Sequence, residues 1–219
     1  MDLSLTPPKR DGIVWTGSTL LDVTAPEPSA IRPADIALAL ARAPRFGGRT
    51  RRDLPSYSVA WHSMFCEKVA DMMGLPIWVR LQCLLHDAPE YLMGDMASPI
   101  KSVLPDYRGL EGILWEAVAR RFQIPVEKHP AVAEIDAIAF GHEARHLLAE
   151  DAWAPIPMPI ADPAWAEMAD KWMLFALRKR PNDGKMFGPD GREVFASALF
   201  QSRLEALSDL RAAEDQAHG

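Results

Sequence analysis

Residues 76–87 read Pro76-Ile77-Trp78-Val79-Arg80-Leu81-Gln82-Cys83-Leu84-Leu85-His86-Asp87. Pro76 stands where a helix can begin, because its missing N–H would have had no intrahelical partner there. Ile77, Trp78, Leu81, Leu84 and Leu85 then recur at three- and four-residue spacing, the pattern of one apolar helix face. The run ends on an imidazole and a carboxylate side by side. Burying a carboxylate without a partner is costly, so Asp87 must be paired or bound to a cation. The stretch therefore predicts a core helix that delivers His86 and Asp87.

Working outward, the preceding segment gives a second helix. Ser58 is a candidate N-cap, and Val59, His62, Phe65, Cys66, Val69, Ala70 and Met73 keep helical spacing until Gly74 ends the run. Pro33 opens an earlier helix that Pro44 stops. Downstream, Met93–Pro105 reads as a loop with a short helical turn, and Leu110, Ile113, Leu114, Ala117, Val118 and Phe122 form another stripe. Pro130–Glu150 is a long helix containing Asp136; Ala164–Arg178 and about Arg192–Ala213 supply two more, separated by the turn-rich stretch Pro181–Gly191. Period-two alternation of β-branched residues is nearly absent. The expectation is an all-α fold, a single helical bundle of about six to eight helices over residues 33–219. Residues 1–32, rich in Pro, Gly, Ser and Thr with apolar runs at Ile13–Trp15 and Leu20–Val23, precede it as an extended arm that can include a small hairpin.

Composition bounds the class. The chain has 219 residues, enough for one sizeable core, and at 48% hydrophobic and 25% charged it is ordinary for a globular protein. No apolar run approaches the roughly 18 residues that cross a bilayer. Residues 1–10 lack the apolar stretch of a signal peptide. The two cysteines, Cys66 and Cys83, form no C-x-x-C and read as buried thiols in a reducing, cytoplasmic setting. A net charge of −6 argues against nucleic-acid polymers and anionic membranes as partners. The local exception is Arg42, Arg45, Arg49, Arg51 and Arg52, either a solvated basic loop or a phosphate clamp built on guanidinium forks.

His62 lies on an apolar stripe, and Asp136 follows Ile135 in the register of Val132, Ile135 and Ala139. Brought together with His86 and Asp87, these residues make two imidazoles and two carboxylates around one centre. Such a set suits one first-row divalent ion (Co²⁺, Mn²⁺, Fe²⁺, Zn²⁺ or Ni²⁺) and leaves coordination positions open. Water on such an ion loses its proton near neutral pH, and the same ion polarises a phosphoryl oxygen.

The order H…HD…D resembles the signature of the HD superfamily of metal-dependent phosphohydrolases. The stretch H-D-A-P-E-Y-L-M-G-D-M-A-S-P-I-K, His86–Lys101, resembles the motif of bacterial 5′-deoxynucleotidases. R-F-G-G-R-T followed by Y-S-V-A-W-H-S, within Arg45–Ser63, resembles that family's arginine–aromatic segment and is closer still to small phage enzymes that hydrolyse dATP. The resemblance covers roughly Pro33 to Arg178. It implies His62, His86, Asp87 and Asp136 as metal ligands. It also implies Glu90 beside the metal, positioning or deprotonating water, and Asp95 protonating the leaving sugar oxygen. Arg45 matches the phosphate-binding arginine, with Arg49 assisting. Lys101 is either a further positive charge for substrate or an exposed lysine. Phe46 matches an aromatic position that disfavours a 2′-hydroxyl. Phe46 stands where the cellular nucleotidases carry Trp, and Trp61 where they carry Glu; both departures leave the substrate open. The expected activity is a 5′-deoxynucleotidase, with a dNTP triphosphohydrolase or an inactive nucleotide-binding module as alternatives. The resemblance also implies a homo-oligomer, a dimer foremost.

A competing motif is His142-Glu143-Ala144-Arg145-His146, which spells the H-E-x-x-H of zinc metalloproteases. On a helix, however, Glu143 lies only about 20° from Asp136 around the axis, and His142 and His146 lie roughly 120° and 80° away. The expectation is that Glu143 lines the pocket beneath Asp136, with the histidines on flanking faces. His129 and His218 are expected to be solvated.

Overall fold

The computed structural model describes residues 11–149, 163–177 and 191–218. Among them the fold is all-α apart from one small antiparallel hairpin, β1 (Ile13–Trp15) and β2 (Leu20–Asp22), with Trp15 opposite Leu20. The helices are α1 (Pro33–Arg42), α2 (Val59–Met72), α3 (Ile77–Leu85), the single turns α4 (Glu90–Met93) and α5 (Ser98–Lys101), α6 (Pro105–Arg121), α7 (Pro130–Leu147), α8 (Pro163–Leu177) and α9 (Gly191–His218). No helix among the described residues is long and apolar enough to cross a membrane.

Helix α2 is the axis of the bundle, packing against α1, α3, α7 and α9. That centrality explains why its expected one-sided stripe is too narrow a description. Eleven of its residues, Val59 through Glu67 together with Val69 and Ala70, are buried. Gly74 ends the run in the left-handed region, at φ 65, as its place in the sequence requires. Ser58 does hold the N-cap position, but its hydroxyl makes no capping bond. Its carbonyl instead accepts from the amides of Trp61 and His62 at 3.1 and 3.2 Å.

A buried carboxylate, Glu67, closes the base of the bundle. It accepts from Arg80 of α3 at 2.7 and 2.9 Å and from Arg203 of α9 at 2.8 Å. Higher up, Gln82 of α3 is fully buried and uses both ends of its amide. Its Nε2 donates to the carbonyls of Pro125 and Glu127 at 2.8 and 2.9 Å, and its Oε1 accepts from the His129 amide at 2.8 Å. A buried amide is tolerated when its hydrogen bonds are made. Here those bonds pin the segment from which α7 starts, and so set where Asp136 lies.

Several boundaries differ from the sequence reading. Helix α7 stops at Leu147, and Glu150 lies outside the described residues, as do Arg178, Pro181–Asp190 and residues 1–10. Helix α9 runs to His218, beyond the expected Ala213. His129 is not a solvated bystander: its Nδ1 accepts from the Ala131 amide at 3.2 Å and caps α7, with its ring against Trp78. The side chain of His218 lies outside the described residues. The hairpin sits on α1 through the buried Asp35, which accepts from Thr16 and Ser18 at 2.7 and 2.6 Å.

Replacing Gln82 by Leu keeps the volume but leaves two carbonyls and one amide without this partner. The expected loss is about 3 kcal/mol, read as a lower urea midpoint. An unchanged midpoint would show that the segment ahead of α7 is held by other means.

Candidate metal centre

Three helices and one loop bring the site together. Helix α2 carries His62, fully buried at the end of its first turn. Helix α3 ends in His86, its C-cap residue, with Asp87 next. Helix α7 carries Asp136 in its second turn and Glu143 two turns further on. The loop is closed at its neck by an antiparallel bridge between Pro44 and Ser58. There the Arg45 amide donates to the Tyr57 carbonyl at 2.8 Å and the Val59 amide to Ala43 at 2.9 Å. This neck lays Arg45 beside the start of α2, aimed inward.

Around the centre, His62 Nε2 lies 3.2 Å from His86 Nε2, 3.1 Å from Asp136 Oδ1 and 3.5 Å from Asp87 Oδ2. His86 Nε2 lies 3.4 Å from Asp87 Oδ2 and 3.8 Å from Asp136 Oδ1. The outer nitrogens are occupied: His86 Nδ1 donates to the Cys83 carbonyl at 2.8 Å and His62 Nδ1 to Glu143 Oε1 at 2.9 Å. Two Nε2 atoms therefore face each other with room for at most one proton between them. Asp136 Oδ1, though buried and close to both rings, takes no hydrogen bond. A buried acceptor in that condition calls for a cation. Four donors on an ion with bonds of about 2.0–2.2 Å lie roughly 3.3–3.6 Å apart in a tetrahedron. The observed spacings bracket that range, so the residues fit a first-row divalent ion.

Of the four donors expected from the sequence, the mutually close group keeps His62, His86 and Asp136 and takes in Cys66 rather than Asp87, which stands beside it at 3.4–3.5 Å from the two Nε2 atoms. Cys66, one helical turn after His62, has its Sγ 3.6 Å from His62 Nε2. His62, Cys66, His86 and Asp136 offer atoms all within 4.8 Å of one another and could hold a metal ion. The thiol is not merely core filler, although burial pushes it up to about 11. Its spacing of four residues from His62 was the available signal, because that spacing stacks side chains on one helix face.

The electrostatics follow from burial opposed by close charges. Burial works against ionisation of Asp136, but the close approach of His62 and His86 holds it well below the usual carboxylate range. Burial and Arg45 oppose a second proton on His62, yet Glu143 and Asp136 draw it well above the ordinary imidazole range. A cation at Nε2 would take that proton's place. Glu90 is pushed up to about 8 by burial and the nearby Asp87, with Lys101 opposing. One Glu90 oxygen accepts from Lys101 at 2.9 Å and the other is buried without a partner.

Arg45 is the one member of the arginine cluster that enters the centre. Its guanidinium lies 3.7 Å from Asp87, 3.6 Å from Asp136, 4.0 Å from Asp95 and 3.4 Å from Glu143. Arg42 instead pairs with Glu193 and Arg51 with Asp53, while Arg49 and Arg52 are exposed. Asp95 is nearly buried and accepts from the Gly47 amide at 3.4 Å. Phe46 sits on the same turn in the left-handed region at φ 58, an uncommon and strained choice for an aromatic residue. Its ring packs 5.8 Å from Phe140. Lys101, open between substrate contact and exposure in the sequence, is instead half-buried between Glu90 and Glu111, 2.6 Å from the latter.

The H-E-x-x-H pair does not converge. His142 is buried against the Phe65 ring, and His146 points to Asp170 at 2.9 Å. Neither joins the metal-capable group found among the described residues. Glu143, by contrast, sits under the centre, as its angle from Asp136 predicted. Tyr57, whose hydroxyl donates to Glu143 at 3.0 Å, opens the quoted Y-S-V-A-W-H-S stretch but was given no role from the sequence.

No protein-family model matches the chain. It is similar to an uncharacterized protein of Rhodobacter capsulatus, 42% identical over 109 residues, covering 48% of this chain and 55% of the relative. It is also similar to the uncharacterized Escherichia coli protein YfdR, 30% identical over 117 residues, covering 53% of this chain and 61% of the relative. The matches thus span less than two thirds of these relatives' length. A helical bundle with a buried His/Cys/His/Asp cluster fits an HD-type fold in general.

Mn²⁺ at about one hundred times its Kd is expected to stabilise the protein by about 2.7 kcal/mol, raising Tm by roughly 5–10 °C. EDTA reverses the shift, and Asp136→Asn abolishes it. A shift of equal size in Asp136→Asn would place the ion elsewhere.

Proposed function

We propose that the chain is a metal-dependent phosphohydrolase acting on deoxyribonucleotides, with 5′-monophosphates as the favoured substrate. One observation carries this reading. The guanidinium of Arg45 points at the same small volume on which His62, His86, Asp87 and Asp136 converge. Cation-ligating donors beside an inward-facing arginine make a site for an anion held between ion and guanidinium. The resemblance of residues 45–63 and 86–101 to the 5′-deoxynucleotidases narrows that anion to a nucleotide phosphate.

An ion held by these residues supplies Lewis acidity, polarising a phosphoryl oxygen and acidifying water. The rest falls to the chain. Arg45 grips the phosphate, prevented from swinging away by Glu143. Glu90 orients the attacking water and takes its proton as the new P–O bond forms. Asp95, on the Arg45 side of the pocket, gives a proton to the 5′ oxygen as the P–O5′ bond breaks. Water and a deoxynucleoside 5′-monophosphate thereby become deoxynucleoside and phosphate. Phe46, fixed by its strained turn and by Phe140, stands on the sugar side and disfavours a 2′-hydroxyl. The dispersal of Arg42 and Arg51 to Glu193 and Asp53 favours a single phosphate over a triphosphate chain.

The test is a substrate panel: dNMPs, NMPs and dNTPs with Mn²⁺ or Co²⁺, products separated by chromatography. Free phosphate from dNMPs but not NMPs is expected. Intact triphosphate from dNTPs would move the protein to the triphosphohydrolase branch, and no turnover with bound metal would contradict the reading. Asp95→Asn should lower kcat by about 10²–10⁴. Arg45→Ala should raise KM about tenfold or more, the worth of a charged hydrogen bond. An Asp95→Asn enzyme with wild-type kcat would remove Asp95 from the mechanism.

A further inference from the structure

Glu143 is the most completely enclosed carboxylate near the centre, with no exposed surface. In the proposed reaction it serves only to hold Arg45, and it takes no part in the proton transfers. Its two oxygens nonetheless divide their partners cleanly. Oε1 accepts from His62 Nδ1 at 2.9 Å and from the Tyr57 hydroxyl at 3.0 Å. Oε2 faces Arg45 Nε at 3.4 Å. One side of the carboxylate therefore holds a metal-ligand imidazole, and the other holds the guanidinium that faces the same centre.

We infer that Glu143 is a positioning residue that couples the two halves of the site, setting metal affinity through His62 and anion affinity through Arg45. The first arm is a matter of ring orientation. With its Nδ1–H held by Glu143, His62 can present only Nε2 to the centre, and the anionic acceptor makes that nitrogen a better donor to a cation. The second arm is a matter of direction. Binding Arg45 at Nε leaves both terminal nitrogens, NH1 and NH2, turned toward Asp87, Asp95 and Asp136. A guanidinium gripped at Nε keeps its fork free for two phosphate oxygens. Tyr57 completes the arrangement from the loop neck, where its own carbonyl holds the Arg45 amide at 2.8 Å. Loop neck, α2 and α7 are thus tied at a single carboxylate.

The inference uses the phosphohydrolase reading only for the identity of the two ligands, a divalent cation and a phosphate. It can fail while that reading stands, and the reverse. The experiment is calorimetric titration of the full chain with Mn²⁺ alone, then of the Mn²⁺-saturated protein with inorganic phosphate. Wild type is compared with Glu143→Gln and Tyr57→Phe. Glu143→Gln is expected to weaken Mn²⁺ binding by about 10–100-fold, the usual consequence of losing a carboxylate behind a ligand histidine. It should also weaken phosphate binding at saturating metal. Tyr57→Phe leaves the carboxylate in place and should move both affinities in the same direction by a smaller factor. Either affinity unchanged in Glu143→Gln overturns the coupling. Should circular dichroism show Glu143→Gln to be unfolded, Tyr57→Phe decides by the same two titrations. A fall in both affinities supports the inference, and no change in either overturns it. Absence of dNMP turnover by the wild type would count against the phosphohydrolase and leave these titrations intact.

Discussion

A crowded set of lone pairs, buried at His62 and open to solvent at Asp136, is the constraint around which this molecule is arranged. Two imidazole nitrogens, the carboxylates of Asp87 and Asp136 and the Cys66 thiol crowd a volume a few ångströms across, with His62 fully buried and Asp136 Oδ1 unbonded. Left alone, such a group repels itself, and burial makes the repulsion strong. Arg45 relieves part of it from one side at distances of 3.6–4.0 Å, too long for good hydrogen bonds. A divalent ion would relieve the rest. The geometry that is awkward as a protein interior is thereby sensible as a ligand shell.

The surrounding fold reads as support for that shell. Gln82 commits both its N–H groups and its carbonyl oxygen to the approach to α7, and so to the position of Asp136. Glu67 draws α3 and α9 onto α2, which holds the base of the helix that presents His62. The bridge between Pro44 and Ser58 converts a long loop into a closed neck with Arg45 and Tyr57 side by side. Buried polar networks of this kind are costly when half-satisfied and rigid when complete. The bonds of Gln82 and Glu67 are made, and unpartnered oxygens of Asp136 and Glu90 lie at the centre itself.

Much of this was legible in the sequence, for a definable reason. Helical periodicity is local, so α1, α2, α3, α6 and α7 could be placed from prolines, glycines and apolar spacing. Charged residues on apolar stripes stand out against that background, which marked His62, His86, Asp87 and Asp136. What was not legible depends on approach between elements distant in the chain. Spacing alone did not separate the five arginines; the resemblance marked Arg45, with Arg49 assisting, and Arg45 is the one that faces the centre. Lys101 looked like a surface lysine because its partners, Glu90 and Glu111, come from two other helices. Cys66 looked inert because its significance rests on a neighbour across the bundle as well as on His62. Glu143 was half visible: the helical wheel put it beneath Asp136, but no periodicity could reveal Tyr57, His62 and Arg45 as its partners.

One cation, on the reading proposed above, is held where His62, His86, Asp87 and Asp136 meet, beside Arg45. Anomalous diffraction from crystals of the full chain grown with Mn²⁺ tests it most directly. The expected result is a single strong manganese peak within bonding distance of both Nε2 atoms and of Asp136 Oδ1. A peak at His142 and His146 instead, or none at this centre in metal-loaded crystals, would contradict it.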